Sequence, residues 1–265
     1  MERRINSWRE KPQHGAYQRQ LDQTGADKKE SYGWLNKCFL DAASEGYILA
    51  AQEMALFTKS LETKVLRTHY DATCRICRDP KSEETIYHLL AACDSLAKRE
   101  YFTRHNAVCK YLHFVISAAY GLPRGKNWYL HEPKEAIVTK NVDILYDQVL
   151  TTDQEVGANR PDIVIKDKTA RRTMIIDVCN PCDLNIQKAE ATKTAKYMGL
   201  KGQLQKMWGF DCAIIPIVIG GLGAVTPNLK TYLAMLPGNP NISICQKITL
   251  LGSKKILMDA LSRSR

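Results

Sequence analysis

The sequence predicts an α/β protein in which a mixed sheet is flanked by helices and preceded by a helical segment and a small module bearing Cys and His. Three observations carry this reading: four short Ile/Val-rich runs in the second half, a long helical stretch between the third and fourth of them, and four closely spaced Cys and His residues in the first half.

The runs are VDILYDQVL (142–150), PDIVI (161–165), TMIIDV (173–178) and CAIIPIVIG (212–220). Their length, β-branched content and Gly, Pro, Asn or charged boundaries are those of strands. The stretch from about Leu184 to Trp208, introduced by Asn180 and Pro181, has helical periodicity. Hairpins followed by a helical crossover give a mixed sheet. Residues 246–262 read as a final amphipathic helix, and 31–70 as helical, with Ala50, Met54, Phe57, Leu61 and Val65 forming an expected core stripe. Residues 1–30 are polar and Gln-rich and are expected to be weakly ordered. The organisation expected is a helical region over 1–70, a Cys/His module over 71–110, a basic connector with Arg124, Lys126 and Trp128 over 111–137, and the sheet domain over 138–265.

Lys and Arg outnumber Asp and Glu 38 to 28, a net charge of +10 that favours a polyanionic partner. No run of about eighteen apolar residues occurs and the start lacks a secretory signal, so a soluble intracellular protein without a membrane partner is expected. Nine cysteines in a reducing compartment serve core filling and metal binding.

Cys74, Cys77, His88 and Cys93 have the spacing C-x2-C-x10-H-x4-C. Four soft ligands in so short a segment are what a tetrahedral structural zinc site needs, and metal binding would supply much of the folding energy of so small a module, on the order of 10 kcal/mol. The competing reading is buried cysteines beside a core histidine. His105 and Cys109 lie close behind and could replace a ligand, whereas the second CxxC pair, Cys179 and Cys182, reads as packing. Arg75, Arg78, Lys81, Lys98, Arg99, Arg104 and Lys110 surround the motif, interleaved with Tyr101, Phe102 and Tyr111. Cations among aromatics suit nucleic acid, with Arg99, Arg104, His105 and Lys110 as candidate contacts; a solvated charged face is the plainer alternative.

Asp162 opens one strand, and Asp177 stands on the next with fourteen residues between them. Two carboxylates on adjacent strands can converge on one divalent cation that polarises a phosphate and activates water. An aspartate inside an apolar strand needs a partner or a metal. On the next helix Glu190, Lys193, Lys196, Tyr197, Leu200, Leu204, Met207 and Trp208 share one stripe, which sets Lys193 and Lys196 toward the end of the Asp177 strand. Surface lysines and a turn-forming aspartate would give the same spacing. Asp143, Asp147, Asp153 or Glu155 could supply a third carboxylate. Gly220, Gly221 and Gly223 lack the Lys and Ser/Thr of a phosphate loop and read as a turn.

NRPDIVIKD, TMIIDV, KTAKY and KMW, preceded by the CCHC motif and the tripeptide Arg104-His105-Asn106, resemble the C-terminal region of site-specific non-LTR retrotransposon proteins. WLNKCFL, EGYILAAQEMAL and NWYLHEP extend the resemblance over nearly the whole chain. It implies a CCHC zinc knuckle followed by a restriction-like endonuclease of PD-(D/E)xK type, acting in the nucleus on DNA, with RNA as a further candidate partner. By position, Asp162 and Asp177 would bind magnesium or manganese and Lys193 or Lys196 would be the catalytic lysine. Cys179 stands where ordinary PD-(D/E)xK enzymes keep lysine, so the amine must come from the helix. No adjacent aspartate pair occurs, so the signature of a reverse transcriptase is absent. The alternative is a catalytically silent nucleic-acid-binding remnant of such an element.

Overall fold

The computed structural model describes residues 2–11 and 15–262. Five strands, β1 (Ala136–Val138), β2 (Val142–Tyr146), β3 (Ile163–Asp167), β4 (Arg172–Cys179) and β5 (Asp211–Val218), form one mixed sheet in sequence order. The first three pairings are antiparallel and β4–β5 is parallel. Among the described residues, nine helices have six residues or more: α1 (Glu2–Arg9), α2 (Ala16–Gln23), α3 (Ala42–Gln52), α4 (Ile86–Ala91), α5 (Phe102–Ala119), α6 (Ile186–Lys196), α7 (Met198–Trp208), α8 (Asn228–Met235) and α9 (Ile242–Ser262).

The parallel pairing requires a crossover, and α6 and α7 supply it. β4 is buried along its interior because both faces of the sheet are covered, which is why its sequence is a continuous apolar run. On one face Ile144, Ile163, Ile165, Met174, Ile176 and Ile215 pack against Val108, Leu112 and Ile116 of α5 and against α8 and α9. On the other, Val164, Ile175 and Cys212 pack against Tyr197, Leu200 and Leu204. Pro216 interrupts β5 harmlessly, because β5 is an edge strand and its open side needs no amide donor.

Several expectations are corrected. The run 142–150 stops as a strand at Tyr146, because Asp147 turns to a φ of 51° and its N–H bonds to the carbonyl of Asp162. The helix over 184–208 is two helices, broken where Tyr197 leaves helical geometry (φ −101°, ψ 8°) with its ring buried. Its expected stripe ends early, since Met207 is exposed. The stripe from Ala50 to Val65 is not core: α3 ends at Gln52, and Phe57 and Val65 are exposed. β1 is an additional strand with no clear sequence signal, being three residues long with only its central side chain half buried. Within 1–30, Met1 and residues 12–14 lie outside the described residues. The rest contains α1 and α2, and Tyr17 and Leu21, one turn apart on α2, are buried.

The segment carrying the Cys/His motif shares a hydrophobic cluster with its surroundings. Cys74, Ile86, Leu89, Leu90 and Cys93 pack with Tyr17 and Leu21 of α2 and Ile256 and Leu257 of α9. Among the described residues, no helix is long and apolar enough to cross a membrane.

Candidate metal and acidic centres

Cys74 lies in a short hairpin: its N–H bonds to Ser82 O at 2.9 Å, and Arg78, at a φ of 55°, turns back so that its N–H reaches Cys74 O at 2.9 Å. That turn brings Cys77 beside Cys74. Thr85 caps α4 by accepting from the N–H of His88 at 3.0 Å, which fixes the histidine one turn into the helix. Cys93 comes next, its N–H donated to the Tyr101 hydroxyl at 3.1 Å, while that hydroxyl's single proton is shared between the carbonyls of Leu89 at 2.9 Å and His88 at 3.1 Å. The four ligand atoms all lie within 4.8 Å of one another, and Cys77 Sγ is 3.4 Å from His88 Nε2. Three sulfurs and an imidazole nitrogen so disposed could hold a metal such as zinc.

Burial raises the Cys74 thiol and pushes that of Cys93 up to about 12, while it lowers His88. Beneath the motif, fully buried Glu84 accepts from Arg75 Nη2 at 2.6 Å and Nε at 2.8 Å and from the N–H groups of Arg75 and Lys59, both at 2.9 Å. Burial raises the Glu84 carboxyl, but these donors bring it below its usual value. A paired charge of this kind pins the hairpin to the segment before it.

The acidic centre lies at the other end of the sheet from the β3–β4 turn. Continuing the β3–β4 register one step past Ile163↔Ile176 sets Asp162 opposite Asp177. The Asp177 carboxylate meets Tyr197 and Lys193 on the side of α6 and α7, whereas that of Asp162 reaches His105 of α5. Asp177 is buried; its Oδ1 accepts from the Tyr197 hydroxyl at 2.6 Å, and Lys193 Nζ lies 2.5 Å from Oδ2. Lys193 is therefore the partner of Oδ2 in a close, charge-assisted ion pair. Lys196 Nζ stands 3.9 Å from Oδ1 and donates to the Tyr197 hydroxyl at 2.9 Å. Asp162 Oδ2 accepts from the N–H of Val178 at 2.6 Å and lies 3.1 Å from His105 Nε2. Burial lowers Lys193, and Asp177 more than compensates, so its ammonium is held above the ordinary value. Burial also lowers His105, and the contact with Asp162 outweighs it.

Asp162, Asp177, Lys193 and Lys196 are thus brought together, and two residues join them. The sequence places Tyr197 in a largely apolar stripe; the signal for its role is a phenol on the line of the two lysines. Its single proton is shared between Asp177 Oδ1 and, at 3.1 Å, Arg160 O, and burial with the Asp177 contact keeps the phenol protonated. His105, expected on a nucleic-acid surface or as a spare zinc ligand, instead faces Asp162. Among the candidate third carboxylates, Asp147 lines the same pocket as Asp162 but is paired with Arg160 at 2.8 and 2.9 Å. Asp143 is bound to Lys168 at 2.6 Å, and Asp153 and Glu155 are exposed. Glu190 is engaged by Thr226 and Asn228.

The expected basic surface is smaller than its sequence. Arg104 is corrected outright: it is buried, donating to Ser253 Oγ at 2.9 Å, Leu90 O at 2.8 Å and Asn180 O at 3.2 Å. Arg75 is interior, and Tyr111 is a core ring whose hydroxyl accepts from the N–H of Asn241. Arg99 and Phe102 are exposed, and Lys110 lies 3.2 Å from Glu132. The glycine turn wraps buried Asp183, which accepts from the N–H groups of Leu222 at 2.8 Å and Ala224 at 2.9 Å. A side chain at Gly220 would meet Asp183 Oδ1 at 2.5 Å, so that glycine serves close approach, not phosphate binding. No protein-family model matches this chain, and comparison with curated proteins finds no match.

Proposed function

We propose that this chain is a metal-dependent DNA endonuclease of the restriction-like type, carrying a zinc-stabilised CCHC module. The observation that carries the reading is the convergence of Asp162, Asp177 and Lys193 at one end of β3 and β4. Two hard carboxylates fit magnesium or manganese, and an ion at Asp177 Oδ2 would take the place that the Lys193 ammonium holds there. When bound, such an ion supplies Lewis acidity toward a phosphate and toward an attacking water.

The chain's own residues would do the rest. Tyr197 fixes the rotation of the Asp177 carboxylate, and Val178 N–H fixes that of Asp162. Lys193, now resting on Asp177, is placed to exchange that carboxylate for a phosphate oxygen as charge develops there. The Cys/His module would be held by zinc through Cys74, Cys77, His88 and Cys93 and would present Arg99 and Lys110 to the DNA or to RNA. A second reading, a silent nucleic-acid-binding remnant, is favoured by one fact: Asp177 already has Lys193, and Asp162 has His105, as counter-charges.

Supercoiled plasmid with magnesium or manganese separates the two. The wild-type chain should convert it to open circle, and Asp177→Asn and Lys193→Met should each slow this at least a hundredfold. Intact plasmid with the wild type, together with salt-dependent binding in the absence of metal, selects the silent remnant.

A further inference from the structure

We propose that His105, Cys109 and Asp162 form a second metal site, selective for a thiophilic divalent cation such as zinc and separate from the four-ligand cluster. His105 and Cys109 are four residues apart on α5 and so project from one face of the helix, a turn apart. Asp162 reaches them from the start of β3. The three ligand atoms lie within 4.8 Å of one another, the only such group besides the CCHC cluster among the described residues.

The distances are close to those an ion would impose. Tetrahedral zinc, with bonds of about 2.0 Å to N and O and 2.3 Å to S, separates N from S by about 3.5 Å and N from O by about 3.3 Å. Here His105 Nε2 is 3.1 Å from Asp162 Oδ2 and 3.9 Å from Cys109 Sγ, and Nδ1 is 3.8 Å from the same sulfur, so a rotation of the imidazole that turns Nε2 toward the space between sulfur and carboxylate completes those two edges. A pocket bounded by Phe102, Asn106, Tyr146 and Asp147 adjoins the three ligands, and the side chains of His105 and Asp162 retain 25% and 19% exposure. Solvent can therefore reach the site and a water can fill the fourth position, as in three-ligand zinc centres.

Sulfur decides the selectivity. Magnesium takes oxygen ligands and gains nothing from a thiolate, whereas zinc, cobalt and cadmium do. Binding expels the thiol proton, and the imidazole binds through its neutral form, so uptake releases protons to solvent. Occupancy would also claim Asp162. Resting on the nuclease reading of that residue, zinc beyond the first equivalent should therefore slow magnesium-dependent nicking.

Metal content of the full chain, measured after equilibration with zinc and removal of the excess, tests the site without reference to cleavage. Wild type should hold two equivalents, and Cys109→Ser and His105→Gln one each. Because Cys109 is buried and its substitution can disturb folding, His105→Gln, at a partly exposed position, decides alone where necessary. Cobalt(II) in place of zinc should give thiolate charge-transfer absorption of two sites in wild type and of one in His105→Gln. A single equivalent in wild type, or two retained in a folded His105→Gln, overturns the proposal. Nicking by the wild type that is unaffected by zinc while two equivalents are bound would overturn the competition for Asp162 and leave the site. An absence of nicking in every form would count against the nuclease reading, and the metal count would still decide this one.

Discussion

Replacing Arg104 by Met should destabilise the protein without weakening the nucleic-acid binding proposed for it. The guanidinium makes three hydrogen bonds, to Ser253, Leu90 and Asn180, and thereby ties α9, α4 and the end of β4 to α5. Hydrogen bonds from a charged donor contribute about 1.5–3 kcal/mol each, or roughly 6 kcal/mol together. Against this stands the cost of burying the cation: burial pushes the Arg104 guanidinium down to about 10, which corresponds to roughly 3 kcal/mol. Met keeps most of the stem volume and removes the charge, so both contributions vanish and the net loss is about 3 kcal/mol. For a chain of this size that lowers Tm by roughly 6–12 °C. Circular dichroism melts read the stability, and fluorescence anisotropy across a salt series reads the DNA affinity. The expected pattern is a lower Tm with the same dependence of log K on log salt. An unchanged Tm with a salt slope reduced by about one would mean that Arg104 contacts phosphate, and the assignment to the interior would be wrong. Arg99→Gln, on the surface, is the converse control.

Three further outcomes are expected. The Cys74→Ser, Cys77→Ser double variant should lose one equivalent of bound metal and, because its segment packs on α9, should lower the Tm of the whole chain; a metal-free wild type with an unchanged melt would defeat the zinc assignment. Tyr197→Phe keeps the buried ring but frees Asp177 Oδ1, so the proposed nicking should fall about tenfold, worth about 1.4 kcal/mol, with little change in fold; equal rates would show that the hydroxyl does not position the carboxylate. Burial raises the Asp183 carboxyl to about 6, above its ordinary 3.8, although the Ala224 and Leu222 amides oppose this. A raised folded-state value contributes stability that is present below pH 3.8 and lost as pH rises through 6. Denaturant melts at pH 4.5 and 7 should therefore show wild type gaining on Asp183→Asn toward acid, by about 2 kcal/mol, and a constant difference would contradict the burial argument.

Local chemistry alone sets part of this architecture. Runs of Ile and Val must be buried on both sides, so β3, β4 and β5 are legible in the sequence within two residues, and one helical crossover makes the sheet mixed. The CCHC spacing is equally local, because two short turns suffice to gather its ligands. Asp162 and Asp177 can be paired from sequence because antiparallel register is set within a hairpin. Other features depend on tertiary packing. The Ala50–Val65 stripe fails because periodicity cannot tell whether a helix continues past Gln52 or what covers it. Arg104 and Arg99, five residues apart and alike in composition, are separated only by the packing of α5 against α9, which surrounds one with acceptors and leaves the other in water. His105 meets Asp162 at a sequence separation of 57, and Tyr197 meets Asp177 only because its helix breaks there and turns the ring inward. Contacts of that range depend on how elements dock, and no local pattern encodes the angle at which one helix crosses the end of a sheet.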